Sequence, residues 1–282
     1  MQTKNLLKTL LKNSDIDRQT NQQLLIHILQ KNHSFLISHD DYELTDDKLQ
    51  SYQKSLDLLK NGKPLAYVLG YQGFWKHDFL VNENTLIPRP DTEILIETVL
   101  NYIQENSLSN LKILDLGTGT GCIAVSLAYE KPNTKVIAVD FSKNALEIAK
   151  KNAERIGVKN IQFLQSDWFD NIDKQKFDII VSNPPYIDKD DKHLANLTHE
   201  PITALVAENH GLADIETIVG QAKGYLNDMG LLAIEHGYDQ AGKVQQIFTH
   251  HAFCQIKTVK DYGGNDRVTY GFCSNFNQNL IK

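Results

Sequence analysis

The spacing of hydrophobic positions changes part-way along the chain. In the first part, apolar side chains recur at helical spacing in three stretches, at residues 6–11, 24–29 and 49–59. Thr45 can cap the third stretch, and Gly62 with Pro64 can end it. We therefore predict a small helical domain over residues 1–75.

From residue 111 onward, short runs rich in β-branched residues alternate with longer amphipathic segments. The seven runs read KILDLG, KVIAVD, IQFLQSD, FDIIVSNPP, LLAIEHG, QIKTVKDY and RVTYGFC. This alternation predicts an α/β fold whose mostly parallel sheet carries helices on both faces. The last two runs are joined around Gly263 and Gly264 with no helix between them, so we predict that the seven-stranded sheet ends in an antiparallel hairpin.

Residues 76–90 lie between the two regions. Turn-forming residues alternate with apolar ones in HDFLVNENTLIPRP, a pattern that predicts a hairpin or a linker. A helix is expected to begin near Asp91. The α/β domain is accordingly predicted to span residues 91–282.

A glycine-rich turn follows the first strand of the α/β region, at Gly117, Thr118, Gly119, Thr120 and Gly121. Glycines let the backbone turn tightly and let a ligand lie against the main chain, near the positive end of the next helix. The third glycine comes one residue earlier than the dinucleotide pattern G-x-G-x-x-G requires, which weakens a pyrophosphate interpretation. The turn is either a nucleotide site or only a tight connection.

Acidic and aromatic residues follow the next two strands. Asp140 can accept two hydrogen bonds from a ribose diol; its alternative role, capping the next helix, can be filled by Ser142. Asp167 could meet an adenine amino group, and Trp168 could lie against the purine or fill the core. Because open α/β sheets bind ligands at the carboxyl ends of their strands, these residues and the glycine turn together fit S-adenosylmethionine.

The fourth strand ends in Asn183, Pro184, Pro185 and Tyr186. Proline cannot donate to a sheet ladder, so the strand must stop there in a stiff, extended conformation. The Asn183 side-chain oxygen and the Pro184 carbonyl can then accept hydrogen bonds from an incoming NH₂ group, and Tyr186 can stack on a planar target. These four residues are predicted to bind a planar amide or amine for methylation; the alternative is a turn with a surface tyrosine.

Three further candidates and one histidine pair have weaker signals. Arg89 and Asp91 stand beside prolines near the predicted pocket, where Asp91 could enter a helix or contact substrate. Glu200 either folds over the target or is a solvated loop carboxylate. The pair at His250 and His251 has no third ligand at suitable spacing, so no metal site is predicted.

Composition narrows the range of partners. A net charge of −6 and a pI near 5.9 offer no strong attraction for a nucleic-acid backbone. Cys122, Cys254 and Cys273 have neither metal-site nor disulfide spacing and are expected to be reduced thiols. No secretion signal and no run of 18 apolar residues is found. We expect a monomeric cytoplasmic protein that binds neither membrane nor nucleic acid directly.

The motifs DLGTGTG, Asp140, NPPYI and EPITAL resemble those of the amino-methyltransferase superfamily, and LIPRPDTE with the preceding AYVLGYQGFW resembles the HemK/PrmC family of release-factor glutamine methyltransferases. The resemblance implies a Rossmann-like class I methyltransferase fold and S-adenosylmethionine as cofactor. It implies N5-methylation of the glutamine in the Gly-Gly-Gln motif of peptide chain release factors. It also implies that Gly117–Gly121, Asp140, Trp168 and Asn183 contact cofactor or target, and that the helical domain grips the release factor.

Three alternative functions remain open at this point. An adenine or cytosine amino-methyltransferase acting on DNA or RNA would share N-P-P-Y, but the acidic balance of the chain disfavours it. A glutamine methyltransferase of a large-subunit ribosomal protein would have similar catalytic motifs, although LIPRPDTE favours the release-factor branch. A non-catalytic module that senses the cofactor is disfavoured by the intact N-P-P-Y.

Overall fold

The computed structural model describes residues 6–12, 15–192, 194 and 197–274, and the chain divides into two compact units, 1–71 and 72–282. The first unit contains the helices α1 (Leu7–Lys12), α2 (Arg18–Leu29), α3 (His33–Ser38), α4 (Asp46–Lys60) and α5 (Leu65–Leu69). Leucines from these helices pack around Tyr52 in one core. The Tyr52 hydroxyl donates to Asn21 Oδ1 at 2.9 Å, so this buried polar pair is satisfied.

The ends of α4 lie where the sequence predicts them. Thr45 is the N-cap residue, although its hydroxyl makes no capping hydrogen bond to the helix backbone. The helix ends at Lys60, and Gly62 follows with a φ of 84°. Helices α3 and α5 were not predicted, because their six and five residues are too short to show a helical period.

The second unit begins within a hairpin and continues into the α/β region. Its hairpin pairs β1 (Tyr71–Phe74) with β2 (His77–Leu80), so the predicted domain boundary at residue 75 falls in the hairpin turn. A 3-10 turn, Pro90–Thr92, leads directly into α6 (Glu93–Glu105), close to the predicted helix start at Asp91.

Strands and helices mostly alternate among the remaining elements. They are β3 (Lys112–Leu116), α7 (Cys122–Glu130), β4 (Lys135–Asp140), α8 (Lys143–Ile156), β5 (Ile161–Gln165), β6 (Phe177–Ser182), the 3-10 turn Ile202–Ala204, α9 (Glu208–Gly211), α10 (Ala213–Ala222), β7 (Leu226–Glu235), α11 (Ala241–His250), β8 (Phe253–Lys260) and β9 (Asp266–Cys273). All seven predicted strands are present. Ser142 caps α8 through Ala145 N at 3.2 Å, as predicted, and Gly157 ends it with a φ of 86°.

The seven strands form one sheet in the order β5-β4-β3-β6-β7-β9-β8. The pairs from β5 to β7 are parallel, and β9 pairs antiparallel with both β7 and β8. This confirms the predicted α/β fold, with its mostly parallel sheet and its terminal antiparallel hairpin. Among the described residues, no helix is both long enough and apolar enough to span a membrane.

The apolar residues of the central strands divide between two different cores. In β6, Ile179 and Val181 pack on the face covered by α6 and α7, whereas Phe177 and Ile180 pack on the face covered by α10 and α11. Strand β7 divides its apolar residues in the same way. Helices therefore cover both faces, which explains why the central strands read as nearly continuous apolar runs.

The strand order reverses between β3 and β6, and this reversal positions the predicted motifs. The chain moves outward from β3 through β4 to β5 and then returns to the other side of β3 with β6. Leu116 and Ser182 end their strands as direct partners, and the Ser182 hydroxyl donates to the Leu116 carbonyl at 2.8 Å. The glycine turn and N-P-P-Y consequently leave the sheet side by side, at the crevice where such folds bind ligands.

Candidate active site

The glycine turn after β3 is held tightly between the sheet and α8. Gly117, Gly119 and Gly121 all have positive φ, at 72°, 54° and 81°. A Cβ at Gly121 would lie 3.1 Å from Ala149 Cβ, so a side chain there would push α8 away. The turn therefore needs glycine both for its conformation and for close packing.

Asp140 ends β4 and holds the glycine turn through its carboxylate. Its Oδ2 accepts from Gly119 N and its Oδ1 accepts from Ser142 N, both at 2.8 Å. Burial raises the pKa of Asp140, and these two backbone N–H groups oppose the rise. Each carboxylate oxygen retains a lone pair beyond its backbone bond, so the group can still accept hydrogen bonds from a ligand.

A cavity of about 450 Å³ lies at the carboxyl ends of β3, β4, β5 and β6. It is the larger of two neighbouring cavities at this edge of the sheet, and we refer to it as the larger cavity. Of the predicted site residues, it is lined by Gly117, Gly119, Asp140, Asp167, Trp168, Asn183 and Pro185. Thr118, Thr120 and Gly121 do not line it; the Thr118 hydroxyl instead donates to the buried Asp115 at 2.6 Å. Any contact these three make with a ligand stays a prediction.

The charges around the larger cavity are negative. Four carboxylates line it, those of Glu83, Asp140, Asp167 and Asp214, and no lysine or arginine is among its described lining residues. Such a lining favours a ligand that carries positive charge and disfavours a phosphate-rich one. The electrostatics thus agree with the weak match of the glycine turn to the dinucleotide pattern.

Trp168 forms one wall of the larger cavity. Its ring lies against Gly117, where an added Cβ would come within 3.3 Å of the ring. Burial raises the pKa of the neighbouring Asp214, and a hydrogen-bond interaction with Trp168 opposes that rise. Trp168 is half-buried against the core cluster on the sheet face covered by α10 and α11, and it also lines the cavity. Filling the core and contacting a purine are therefore compatible roles for Trp168.

Asn183 lies between the larger cavity and a second one. The smaller cavity, of about 80 Å³, is lined by Asn183, Pro184, Tyr186 and Arg89 among others. Asn183 Nδ2 donates to Thr92 Oγ1 at 3.1 Å. Neither Asn183 Oδ1 nor the Pro184 carbonyl accepts a hydrogen bond from the described part of the chain. Both predicted acceptors are thus available to a group in the smaller cavity.

Tyr186 is fixed at both its backbone and its hydroxyl. Its carbonyl accepts from Gln240 Nε2 at 2.9 Å and packs directly on Gly211, where a Cβ would lie only 2.1 Å from the carbonyl oxygen. Its hydroxyl donates to Glu235 Oε1 at 3.2 Å. Burial and the adjacent Glu235 carboxylate raise the pKa of Tyr186, so its hydroxyl stays protonated. Tyr186 is half-buried and bonded at both ends, which disfavours the alternative of a surface tyrosine.

Glu235, at the end of β7, is a buried carboxyl group beside these motifs. Desolvation raises its pKa to about 7, and the Thr92 hydroxyl, Arg267 and Tyr186 oppose the rise. Its Oε2 has no hydrogen-bond partner within 3.5 Å among the described residues. The sequence does not mark Glu235 or Thr92 as site residues, because Glu235 meets Tyr186 and Thr92 meets Asn183 only through tertiary hydrogen bonds.

Glu200 bridges two segments that border the smaller cavity. Its carboxylate accepts from Ile87 N at 3.0 Å and from Arg89 Nη2 at 2.5 Å, and the residue is buried. The alternative of a solvated loop carboxylate is therefore wrong.

Asp91 lies in the turn that enters α6 and forms an ion pair with Arg267 at 3.3 Å. Pro88 and Pro90 hold the intervening chain in place for these contacts.

Other features of the described residues carry no comparable chemistry. A depression of about 590 Å³ lies at the amino ends of β4 and β5, on the edge opposite the motifs. Within the described ranges, no three or more His, Cys, Asp or Glu side chains are grouped to hold a metal ion. All three cysteines, Cys122, Cys254 and Cys273, are free thiols.

The sheet topology, the glycine turn and N-P-P-Y at the strand reversal together define a class I methyltransferase. Residues 107–270 match a methyltransferase domain, and residues 4–70 match the PrmC N-terminal domain. A solved methyltransferase from Pyrococcus furiosus superimposes with a TM-score of 0.54 at 15% identity, covering 79% of this chain and 99% of that one, which shows the shared fold.

Relatives identify the family within this class. The release factor glutamine methyltransferase of Aliivibrio fischeri is 44% identical over 251 residues, which cover 88% of this chain and 87% of the relative. That of Escherichia coli is 42% identical over 260 residues, covering 92% and 93%. The chain belongs to the release factor glutamine methyltransferase family.

Proposed function

We propose that this chain transfers a methyl group from S-adenosylmethionine to the side-chain amide nitrogen, N5, of the glutamine in the Gly-Gly-Gln motif of peptide chain release factors. The observation that carries the proposal is the pair of oxygens, Asn183 Oδ1 and the Pro184 carbonyl, left without donors beside a carboxylate-lined cavity. The proposed reaction takes place in the cytoplasm, needs one copy of the chain and involves no nucleic acid.

The larger cavity fits S-adenosylmethionine in size and charge. Its volume of about 450 Å³ is within the usual range for small-molecule sites. Asp140 would accept hydrogen bonds from the ribose, and Asp167 and Trp168 would contact the adenine. The carboxylates favour the cationic sulfonium and ammonium groups. When bound, the cofactor supplies a methyl carbon made electrophilic by the sulfonium.

The smaller cavity suits the glutamine side chain. The two N–H bonds of its amide would donate to Asn183 Oδ1 and the Pro184 carbonyl, which turns the nitrogen lone pair out of conjugation and toward the larger cavity. Orientation of this kind can lower a barrier by about 7–11 kcal/mol. No strong base is needed for attack, because the nitrogen becomes acidic as it is alkylated and its proton leaves afterwards. Tyr186, fixed by Glu235, supplies a flat surface beside the amide.

Asn183→Ala tests the acceptor role directly. We expect kcat for a purified release factor to fall about 100-fold, as when other single oriented hydrogen-bonding groups are removed, while the cofactor Kd changes little. Transfer of labelled methyl and calorimetry measure the two quantities. Asn227→Ala is the control, because the Asn227 side chain bonds to Asp178 at the surface and lines neither cavity.

The proposal fails if the wild-type chain labels duplex DNA or ribosomal RNA and leaves the release factor unlabelled. It also fails if the label is found on a ribosomal protein in place of the release factor. Mass spectrometry should locate the added methyl on the Gly-Gly-Gln glutamine. Unchanged turnover in Asn183→Ala would remove the proposed acceptor while leaving the substrate assignment intact.

The helical unit is proposed to bind the release factor. Its residues 4–70 match the PrmC N-terminal domain, whereas the second unit contains all the proposed chemistry. We expect amide hydrogen exchange within residues 15–69 to slow when an unmethylated release factor is added to the chain with S-adenosylhomocysteine. Unchanged exchange there, with binding established by calorimetry, would contradict the assignment.

A further inference from the structure

Gln240 precedes α11 as its N-cap residue, and its side-chain amide bonds to three segments of the second unit. Its Oε1 accepts from Gly237 N at 2.8 Å, in the turn that follows β7. Its Nε2 donates to the Tyr186 carbonyl at 2.9 Å and to the His210 carbonyl at 3.2 Å. Gln240 is buried, so these hydrogen bonds lie in a medium less polar than water and are strengthened by it.

The three partners are all backbone groups, and this fixes which way the Gln240 amide points. A backbone N–H can only donate, and a backbone carbonyl can only accept. With the amide reversed, its NH₂ group would face the N–H of Gly237, and its oxygen would face two carbonyl oxygens. The amide is also closely packed, because a Cβ at Gly211 would lie 2.8 Å from Gln240 Nε2. The Gln240 side chain therefore has one orientation.

The bond to Tyr186 acts on the peptide that ends N-P-P-Y and joins Tyr186 to Ile187. On one side of this peptide, the Tyr186 carbonyl accepts from Gln240. On the other side, Ile187 N donates to the Leu205 carbonyl at 2.9 Å. At the opposite end of the segment, Ser182 is still part of β6. N-P-P-Y is thus held at both of its ends.

Between these two ends the backbone has little freedom of its own. The rings of Pro184 and Pro185 lock their φ angles at about −65°. A rotation of the Tyr186 peptide can then be absorbed only by the few remaining backbone angles, and it moves the Pro184 carbonyl with it. Pro184 and Tyr186 both line the smaller cavity, so such a rotation would change the shape of that cavity.

We propose that Gln240 is a positioning residue for methyl transfer, because its bond to the Tyr186 carbonyl holds the Pro184 carbonyl and the Tyr186 ring in place for the substrate amide. This inference rests on the proposed function and adds to it a residue that lines neither cavity. The same NH₂ group holds His210, whose left-handed backbone precedes the close contact of Gly211 with Tyr186. One side chain therefore fixes both N-P-P-Y and the segment packed against it.

Gln240→Met removes the three hydrogen bonds and keeps the length of the side chain. We expect kcat for a purified release factor to fall about tenfold, while the Kd for S-adenosylmethionine stays within about twofold of wild type. Gln245→Met is the matched control in α11, because Gln245 is half-buried and donates to Thr258 at 2.8 Å but lines neither cavity. A kcat for Gln240→Met within about twofold of wild type, or equal falls in both variants, would overturn the proposal.

Gln240→Glu separates the donor from the shape of the side chain. An ionised carboxylate there can accept from Gly237 N, but it has no proton for the carbonyls of Tyr186 and His210. A protonated carboxyl group can donate again, and burial favours that form. We expect kcat of Gln240→Glu, relative to wild type at the same pH, to exceed that of Gln240→Met at least threefold at about pH 6 and to decline toward about pH 8. Equal kcat for the two variants at pH 6 would overturn the donor role.

Other titratable groups near this position do not disturb that comparison. The ring of His210 bonds to Asp188 at 2.7 Å, and further titratable side chains on the bonded segments are those of Tyr186, Glu235, His236 and Asp239. All of these groups are present in wild type and in both variants. Their titration is therefore common to the chains compared at each pH, and the difference between Gln240→Glu and Gln240→Met reports the introduced carboxyl group.

Amide hydrogen exchange of the chain alone tests the same hold without any substrate. We expect the Ile187 amide, which donates to Leu205, to exchange about tenfold faster in Gln240→Met than in wild type or in Gln245→Met. Unchanged exchange would overturn the positioning role even if the release factor is methylated. Faster exchange in Gln240→Met, where wild type does not methylate the release factor, would support the hold on N-P-P-Y and reject the proposed substrate.

Discussion

Asp140 combines an observed structural role with a proposed binding role in one carboxylate. Its two oxygens hold Gly119 and Ser142 through backbone hydrogen bonds, and each has a lone pair left for a ligand. From the sequence, Ser142 is the predicted cap of α8, which leaves Asp140 for the ribose. The observed cap supports that reasoning, because Ser142 does bond to Ala145 N. The backbone bonds of Asp140 could not be predicted, since they depend on the positive φ values of the turn.

Asp140→Ala should weaken cofactor binding. The loss of two hydrogen bonds to the ribose, worth about 1–3 kcal/mol in total, raises the cofactor Kd about tenfold or more. Calorimetry measures this Kd, and thermal unfolding of the ligand-free variant shows how far the glycine turn has loosened. Asp170→Ala serves as control, because Asp170 is an exposed carboxylate outside the cavity. An unchanged Kd in Asp140→Ala would contradict the ribose assignment.

Motif residues and their partners differ in how far the sequence reveals them. N-P-P-Y could be predicted because its prolines end a strand by local stereochemistry. The contacts of Glu200, Thr92 and Glu235 could not, since each meets its partner from a position far away in the chain. Ile87 and Glu200 are 113 residues apart, and Asn183 and Thr92 are 91 apart. Only the packed fold shows that these residues belong to one site.

Among the elements, the short segment α9 supports N-P-P-Y from outside the motif, and most of its residues are not helical. Asn209 and His210 both have left-handed conformations, with φ values of 53° and 55°, before Gly211 at 79°. The Tyr186 carbonyl lies against Gly211 and is bonded by Gln240. The sequence analysis did not single out this segment, because a left-handed run carries no hydrophobic period.

Gly211→Ala should damage both stability and turnover. Its Cβ would be 2.1 Å from the Tyr186 carbonyl oxygen, so the backbone of N-P-P-Y or of α9 must move. Together with the left-handed φ, we expect a loss of about 2–5 kcal/mol in the free energy of unfolding. Urea denaturation measures it. Gly242→Ala is the control, because a Cβ there meets no atom within 4 Å and α11 should gain up to about 1 kcal/mol. Equal stability of both variants would contradict the packing argument.

Over the whole second unit, the parallel core could be predicted because strands buried on both faces are uniformly apolar. The short helices α3 and α5 of the first unit could not, since tertiary packing stabilises them and local period does not. The second unit also encloses two buried carboxyl groups, those of Asp115 and Glu235, and desolvation raises the pKa of each to about 7. These buried acids couple the stability of the fold to pH.

The sign of that coupling follows from proton uptake. The ordinary pKa of the Glu235 side chain is 4.5, so between that value and about 7 the folded chain binds more protons than the unfolded chain. The stability due to Glu235 is therefore fully present below pH 4.5 and is lost as the pH rises through 7. His236 acts oppositely, because burial lowers its pKa and its protonation at low pH destabilises the fold.

Glu235→Gln removes the Glu235 carboxyl group and leaves His236, so it isolates the contribution of Glu235 to the pH dependence of stability. We expect the change in the free energy of unfolding between pH 5 and pH 8 to shift by up to about 3 kcal/mol relative to wild type, with the variant the more stable at pH 8. Urea denaturation at successive pH values measures the shift. Glu147→Gln on the exposed face of α8 is the control. If Glu235→Gln keeps the wild-type pH dependence, Glu235 does not titrate as its burial requires. A variant that is more stable at pH 8 yet slower in turnover would show that the buried carboxylate is retained at a cost to the fold.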